Sequence, residues 1–186
     1  MIEGILDALE LAKEIGDVVI SLSESSKTLE GRNRSMVIKV YNKTQFKLIF
    51  TASHEDWGKL WKAPTNIDEF SAMTFSAADS DGTILTGLQG GAAFRLEMPE
   101  EGGETETLDI AIGFDNPEIG SEKTCVIFSD SPKKAADDVK KDGHSALSKT
   151  YKGKNVKGED VTIQFRIASV PAQENTNIII TQLLVD

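Results

Sequence analysis

Residues 91–114, GAAFRLEMPEEGGETETLDIAIGF, decide the fold. They hold two alternating apolar runs, GAAFRLEM and TLDIAIGF, and the stretch between these runs contains the turn-forming residues PEEGG. A period of two, with aromatic and β-branched residues on either side of a glycine-rich break, is typical of antiparallel strands. The segment therefore predicts two strands of a β-protein.

The same pattern recurs on both sides of this segment. Turn residues such as NKT, DSDG and DNP separate the runs, as expected for an antiparallel sandwich. One helix interrupts the strands, because Ser131 can cap it, Pro132 suits the first helical position, and KKAADDVKK continues to Gly143. The fold class is therefore mainly β, an antiparallel β-sandwich with a short helix. The other predicted strands are MVIKVY (36–41), QFKLIFTA (45–52), EFSAMTFSA (69–77), KTCVIF (123–128), VTIQFRIASV (161–170) and NIIITQLLV (177–185).

The first 22 residues follow a helical period instead. GILDALELAKEIGDVVISL (4–22) predicts an amphipathic helix whose charged side chains fall within an arc of roughly 120°. The charged arc comprises Glu3, Asp7, Glu10, Lys13, Glu14 and Asp17. The apolar remainder comprises Ile2, Ile5, Leu6, Leu9, Leu11, Ile15, Val18, Val19, Ile20 and Leu22.

A polar stretch, Ser23 to Ser35, separates this helix from the strands and is suited to act as a hinge. The expected organisation is a single domain, 1–186. In it, residues 1–30 form the amphipathic helix and hinge, and residues 35–186 form the sandwich.

Composition argues against several kinds of function. The 30 acidic and 20 basic residues give a net charge of −10, which disfavours nucleic acid as a partner and simple electrostatic capture by anionic lipid. The lone cysteine, Cys125, lies in an apolar run and is expected to be a buried thiol. No uninterrupted apolar stretch is long enough for a constitutive transmembrane helix, and no signal peptide is visible.

Catalytic, metal and cofactor motifs are also not recognised, so the protein is not expected to be an enzyme. Neither His54 nor His144 lies in a nucleophile or metal-helix motif. Asp79, Asp81 and Gly82 resemble the start of a calcium loop, but its later ligands do not follow, and a tight turn is the better interpretation.

The order of these parts resembles the actinoporins, small pore-forming cytolysins. The resemblance covers almost the whole chain and rests on RSMVIKVYNKT (34–44), SDGTILTGLQGGAAFRLEM (80–98), FDNP (114–117) and SPKKAADDVKK (131–141). It implies a soluble monomer whose sandwich docks on a target cell membrane. The N-terminal helix then detaches, inserts and self-associates with other copies into a pore.

The helix itself is compatible with that mechanism. Ten aliphatic residues favour insertion by roughly 0.3 to 0.6 kcal/mol each, whereas six charges at mid-membrane each oppose it by roughly 2.5 to 3.5 kcal/mol. One helix alone should stay out of the bilayer, but several helices with their charges around water avoid most of the cost. Residues 2–22 would rise about 30 Å, close to the hydrocarbon thickness. Glu3, Asp7, Glu10, Glu14 and Asp17 would then line a cation-favouring pore.

The loop that carries the family's aromatic phosphocholine site differs here. It offers Glu118, Ile119, Glu122 and Lys123 where actinoporins carry aromatic residues. A different headgroup, a glycan or a receptor is therefore expected as the target. The residues predicted to contact the membrane or its headgroups are Phe114, Asn116, Pro117, Ile119 and Tyr151.

Alternatives to the pore remain open. The helix can simply pack on the sandwich, and the sandwich can be a non-lytic lectin-like or receptor-binding module, since fungal fruit-body lectins have similar sandwiches. Trp57 and Trp61 either form an interfacial aromatic pair or close one end of the sandwich, and the second arrangement is favoured. In the pore hypothesis the protein is secreted or released before it reaches a target cell membrane.

Overall fold

The structure is a computed structural model, which describes Leu29 and residues 34–79, 87–99, 105–172 and 175–185. Within these ranges the chain forms ten β-strands and one short helix, α1 (Pro132–Asp137). The predicted N-terminal helix lies outside the described residues. The strands are β1 (Ser35–Lys43), β2 (Leu48–Trp57), β3 (Lys59–Lys62), β4 (Ser71–Ala78), β5 (Leu88–Pro99), β6 (Thr105–Asn116), β7 (Lys123–Ile127), β8 (His144–Lys154), β9 (Asp160–Ala172) and β10 (Asn175–Val185).

The strands form two sheets, as the sandwich prediction requires. The larger sheet has the order β3-β4-β1-β10-β9-β8, and the smaller has the order β2-β5-β6-β7. The neighbouring strands are antiparallel except for β1 and β10, which are parallel. The expectation of a purely antiparallel sandwich is wrong at this pair, because β10 runs antiparallel to β9 on one side and in that direction lies parallel to β1 on the other.

Alternating side chains of both sheets build one core. Phe75 of the larger sheet meets Phe114 of the smaller sheet edge to face, with ring centroids 5.9 Å apart. Phe94 and Phe165 are likewise fully buried. Burial of each such ring favours folding by roughly 1.5 to 3 kcal/mol, so these phenylalanines hold the two sheets together.

Helix α1 packs on the outer face of the smaller sheet. The Ser131 side chain accepts a hydrogen bond from the Lys134 backbone N–H, and Pro132 occupies the first turn, as predicted. The helix ends earlier than the predicted Gly143, because Lys140 pairs through its backbone with Thr124 beside β7. Two glycines of the smaller sheet let the helix come close: a Cβ on Gly91 would lie 2.2 Å from the Pro132 carbonyl oxygen, and one on Gly113 would lie 1.9 Å from that of Ala135.

The buried thiol predicted for Cys125 is confirmed. Cys125 lies on β7 in register with Gly113 and is 1% exposed. Burial raises the pKa of the thiol, which disfavours the reactive thiolate. We expect Ellman's reagent to leave Cys125 unmodified in the folded protein and to react with it fully in denaturant, as measured by the absorbance of the released thiolate. Rapid stoichiometric reaction under native conditions would contradict this placement.

Candidate membrane-binding surfaces

The predicted membrane-inserting and pore-lining residues all fall within residues 2–22 and lie outside the described part of the chain. The described residues include no helix with the length and hydropathy needed to cross a bilayer. Leu29 is buried against Val37 and Ala78, and Trp61 packs beside them. Because Met36 and Ile38 point into the core, their neighbour Val37 lies on the outer face of the larger sheet. Leu29 therefore packs on that outer face.

The last residue of β6 and the loop that leads to β7 hold three of the predicted contact residues at one end of the sandwich, which we call the Ile119 end. Asn116 is buried and its side-chain amide donates to the Ser35 carbonyl at 3.0 Å. The Arg34 guanidinium donates to the Glu118 carbonyl at 2.6 Å and lies 3.7 Å from its carboxylate. Pro117 is partly buried, whereas Ile119 is 91% exposed. The braced loop thus presents Ile119 to solvent.

Phe114 and Tyr151 do not belong to a surface patch in this structure. Both point inward from their strands: Phe114 packs on Phe75, and the Tyr151 ring meets that of Phe165 at 5.7 Å. Burial raises the pKa of Tyr151, in keeping with its interior position. Tyr151 also lies toward the opposite end of the sandwich, near the end of β8. The structure therefore does not bring the five predicted contact residues together.

A surface aromatic residue for which the sequence favoured closure of the sandwich over an interfacial pair lies at the Ile119 end. Trp57 is 59% exposed, and its partner in the sheet, Gln89, also pairs with Asp115 just before the Ile119 loop. Trp57 therefore does not close the end of the sandwich, although Trp61 is partly buried against Leu29 and its neighbours. Tryptophan is favoured where protein meets the membrane interface. Trp57 and Ile119 are thus one candidate contact surface.

A groove opens at the opposite end, which we call the groove end. Its volume is ≈ 1060 Å³. Apolar side chains, including Phe46, Met98 and Leu184, lie beside polar ones such as Gln45 and Asn155 in its lining. A mixed lining of this kind suits a ligand with both polar and apolar parts, such as a sugar.

The two histidines have local structural partners. His54 Nε2 lies 2.9 Å from an Asp56 oxygen, and Lys133 approaches the same carboxylate at 3.6 Å. The hydrogen bond with His54 lowers the pKa of Asp56, aided by the nearby positive charges. His144 Nδ1 lies 2.9 Å from the Val126 carbonyl oxygen. Within the described ranges, no three or more His, Cys, Asp or Glu side chains are grouped so that they could hold a metal ion.

Comparison with known proteins identifies the kind of fold. No protein-family model and no curated protein matches the sequence. Chains of solved structures do match, and one of them is the crystal structure of the lipid-binding protein Nakanori. It aligns with a TM-score of 0.59 and 15% identity, over 94% of this chain and 84% of its own. At this identity the likeness shows a shared β-sandwich fold.

Proposed function

We propose that this protein binds lipid membranes and forms pores in them as an actinoporin-like cytolysin. The observation that carries the proposal is the match between its sandwich and that of a lipid-binding protein over 94% of the chain. The amphipathic N-terminal sequence supports the second half of the proposal, because lipid binding alone requires no segment of this length and pattern.

In this mechanism the sandwich makes the first contact and residues 2–22 insert afterwards. Leu29 is compatible with such an order. It is packed on the sandwich at the outer face of the larger sheet, and the amphipathic pattern lies in the residues before it. Several copies then place Glu3, Asp7, Glu10, Glu14 and Asp17 around a water-filled lumen. Carboxylates at these positions favour the passage of cations.

A second candidate function is a non-lytic lectin-like module. The groove of ≈ 1060 Å³ favours it, because its polar lining can form hydrogen bonds with sugar hydroxyls while Phe46 and the exposed Leu184 offer apolar contact. This candidate requires neither insertion nor self-association.

Release of a trapped dye from vesicles and cells of differing headgroup and glycan tests both candidates. If the protein forms pores, it should release dye from at least one target. Its channels in a planar bilayer under a salt gradient should show a reversal potential shifted toward the equilibrium potential of the cation. Clear glycan-array hits from a protein that releases nothing from any target would favour the lectin-like module and would exclude the pore.

A further inference from the structure

The outer face of the larger sheet differs in charge from the chain as a whole. Ile163, Phe165 and Ile167 of β9 point into the core, so the alternate residues of β9 and their sheet partners point outward. We call the outward side of β10, β9 and β8, together with Lys39 and Lys43 of β1, the basic face; Val37 of β1 is covered by Leu29 and is not part of it. Its cationic side chains are Lys39, Lys43, Lys152, Lys154 and Arg166.

Carboxylates are scarce among the described side chains of the basic face, although the sequence has 30 acidic residues. Among its described outward side chains the sole carboxylate is Asp160, which pairs with Lys154 at 2.9 Å. Lys152 instead donates to the Thr162 hydroxyl at 2.8 Å, a neutral partner. Arg166 is exposed in the middle of the face. Among the described residues of the face, five cations thus stand against one carboxylate.

The smaller sheet presents a contrasting surface. Its outward Arg95 pairs with Asp109 at 2.8 Å, and Lys123 pairs with Asp115 at 2.7 Å. Helix α1 covers another part of that sheet. Arg95 and Lys123 of the smaller sheet thus have carboxylate partners, whereas the cations of the basic face outnumber its described carboxylate. Such an asymmetry would orient the molecule near a charged surface.

Aliphatic side chains are exposed between the cations of the basic face. Leu147 is 56% exposed, Val170 is 50% exposed and Val185 is 37% exposed. In the sheet Leu147 lies opposite Arg166, and Val185 shares the partner Thr162 with Lys152. Each of these two aliphatic residues therefore has a cation close to it.

We propose that the basic face docks on the surface of an anionic lipid bilayer. The inference rests on the proposed membrane function and identifies the docking surface and the lipid class for it. A broad sheet face can lie along a bilayer, its lysines and arginine attract anionic headgroups, and Leu147, Val170 and Val185 enter the interface. The net charge of −10 does not reveal this surface, because it sums all 30 acidic residues, whereas the described outward side chains of the basic face include one carboxylate.

Co-sedimentation with phosphatidylcholine vesicles, with and without phosphatidylserine, tests the proposal. We expect the protein to bind the serine-containing vesicles better and to lose that preference at high salt. Arg166→Gln and Lys152→Gln should each weaken binding about fivefold, the effect of one basic residue at an anionic surface. Leu147→Ser should weaken binding at all salt concentrations, because its contribution is apolar.

Lys134→Gln on α1 is the matched control, because it removes one exposed charge outside the basic face and should leave vesicle binding unchanged. Equal losses of vesicle binding for Lys134→Gln and Arg166→Gln would overturn the proposal, because net charge rather than the position of the charge would then determine binding. Loss with Ile119→Asp or Trp57→Ala, but not with the basic-face variants, would place docking at the Ile119 end. If the basic-face variants self-associate more weakly in solution but bind vesicles as well as the unaltered protein, the face is instead a contact between copies of the chain. Failure of the unaltered protein to bind any vesicle would instead refute the membrane function itself.

Discussion

Deletion of residues 1–30 is expected to abolish dye release from every membrane that the full-length protein permeabilises. The deletion removes all ten aliphatic positions and all six charges of the amphipathic pattern. Without them no segment remains to fill the proposed role of the inserting helix. Binding to the same vesicles should persist, because the proposed docking surface lies in the sandwich. Fluorescence release and co-sedimentation, measured on the same preparations, separate the two steps.

A shorter deletion controls for damage to the sandwich. Removing residues 1–30 also removes Leu29, which is 7% exposed against Val37 and Ala78, and burial of a leucine favours folding by roughly 1.5 to 3 kcal/mol. Deletion of residues 1–22 keeps Leu29 and should abolish release with less effect on the melting temperature. If either truncated protein still releases dye at the full-length rate, the helix mechanism is wrong.

Gly113→Ala is expected to be the most destabilising small substitution in the smaller sheet. Its Cβ would lie 1.9 Å from the Ala135 carbonyl oxygen and 2.3 Å from the attached carbon, so backbone rather than a flexible side chain must move. Helix α1 would have to shift away from the sheet and lose the burial of Ala135 and Ala136. We expect a loss of about 3 kcal/mol, the upper part of the usual range for overpacking, and a melting temperature lower by roughly 6 to 12 °C.

Gly153→Ala provides the comparison, because it adds the same methyl group to another strand. There the Cβ would lie 3.3 Å from the Ile163 Cδ1, the far end of a side chain that can rotate. Its cost should stay below about 1 kcal/mol. Both are measured by thermal and urea unfolding. Similar stabilities for the two variants would show that α1 does not depend on contact at Gly113.

The strands that alternation predicted are those with apolar residues facing the core, whereas β3 and β8 were missed. Both missed strands are edges of the larger sheet. An edge strand needs fewer apolar residues and is protected from further pairing by charge, and lysines begin and end β3 and recur through β8. The segments KLWK and HSALSKTYKGK therefore carry a weak alternation signal. The early end of α1 could not be predicted from the local sequence, because the pairing of Lys140 with Thr124 depends on tertiary contact.

The candidate contact surface was less predictable than the fold. Phe114 and Ile119 belong to the same strand-and-loop segment, yet the side chain of one is fully buried and that of the other almost fully exposed. Which face of a strand meets the core depends on register with its partners, and the local sequence does not contain that register. The basic face was missed for a related reason. Lys43, Lys152 and Arg166 are far apart in the chain and come together only through the pairing of β1, β10, β9 and β8.

The parallel pairing of β1 with β10 has a consequence for biosynthesis. The first and last strands of the sandwich lie side by side in the interior of the larger sheet, with Val37 opposite Asn175. During translation β1 would be exposed along one edge until β10 emerges from the ribosome. The larger sheet can therefore close only after β10 has emerged, so the nascent chain remains open to chaperones until then.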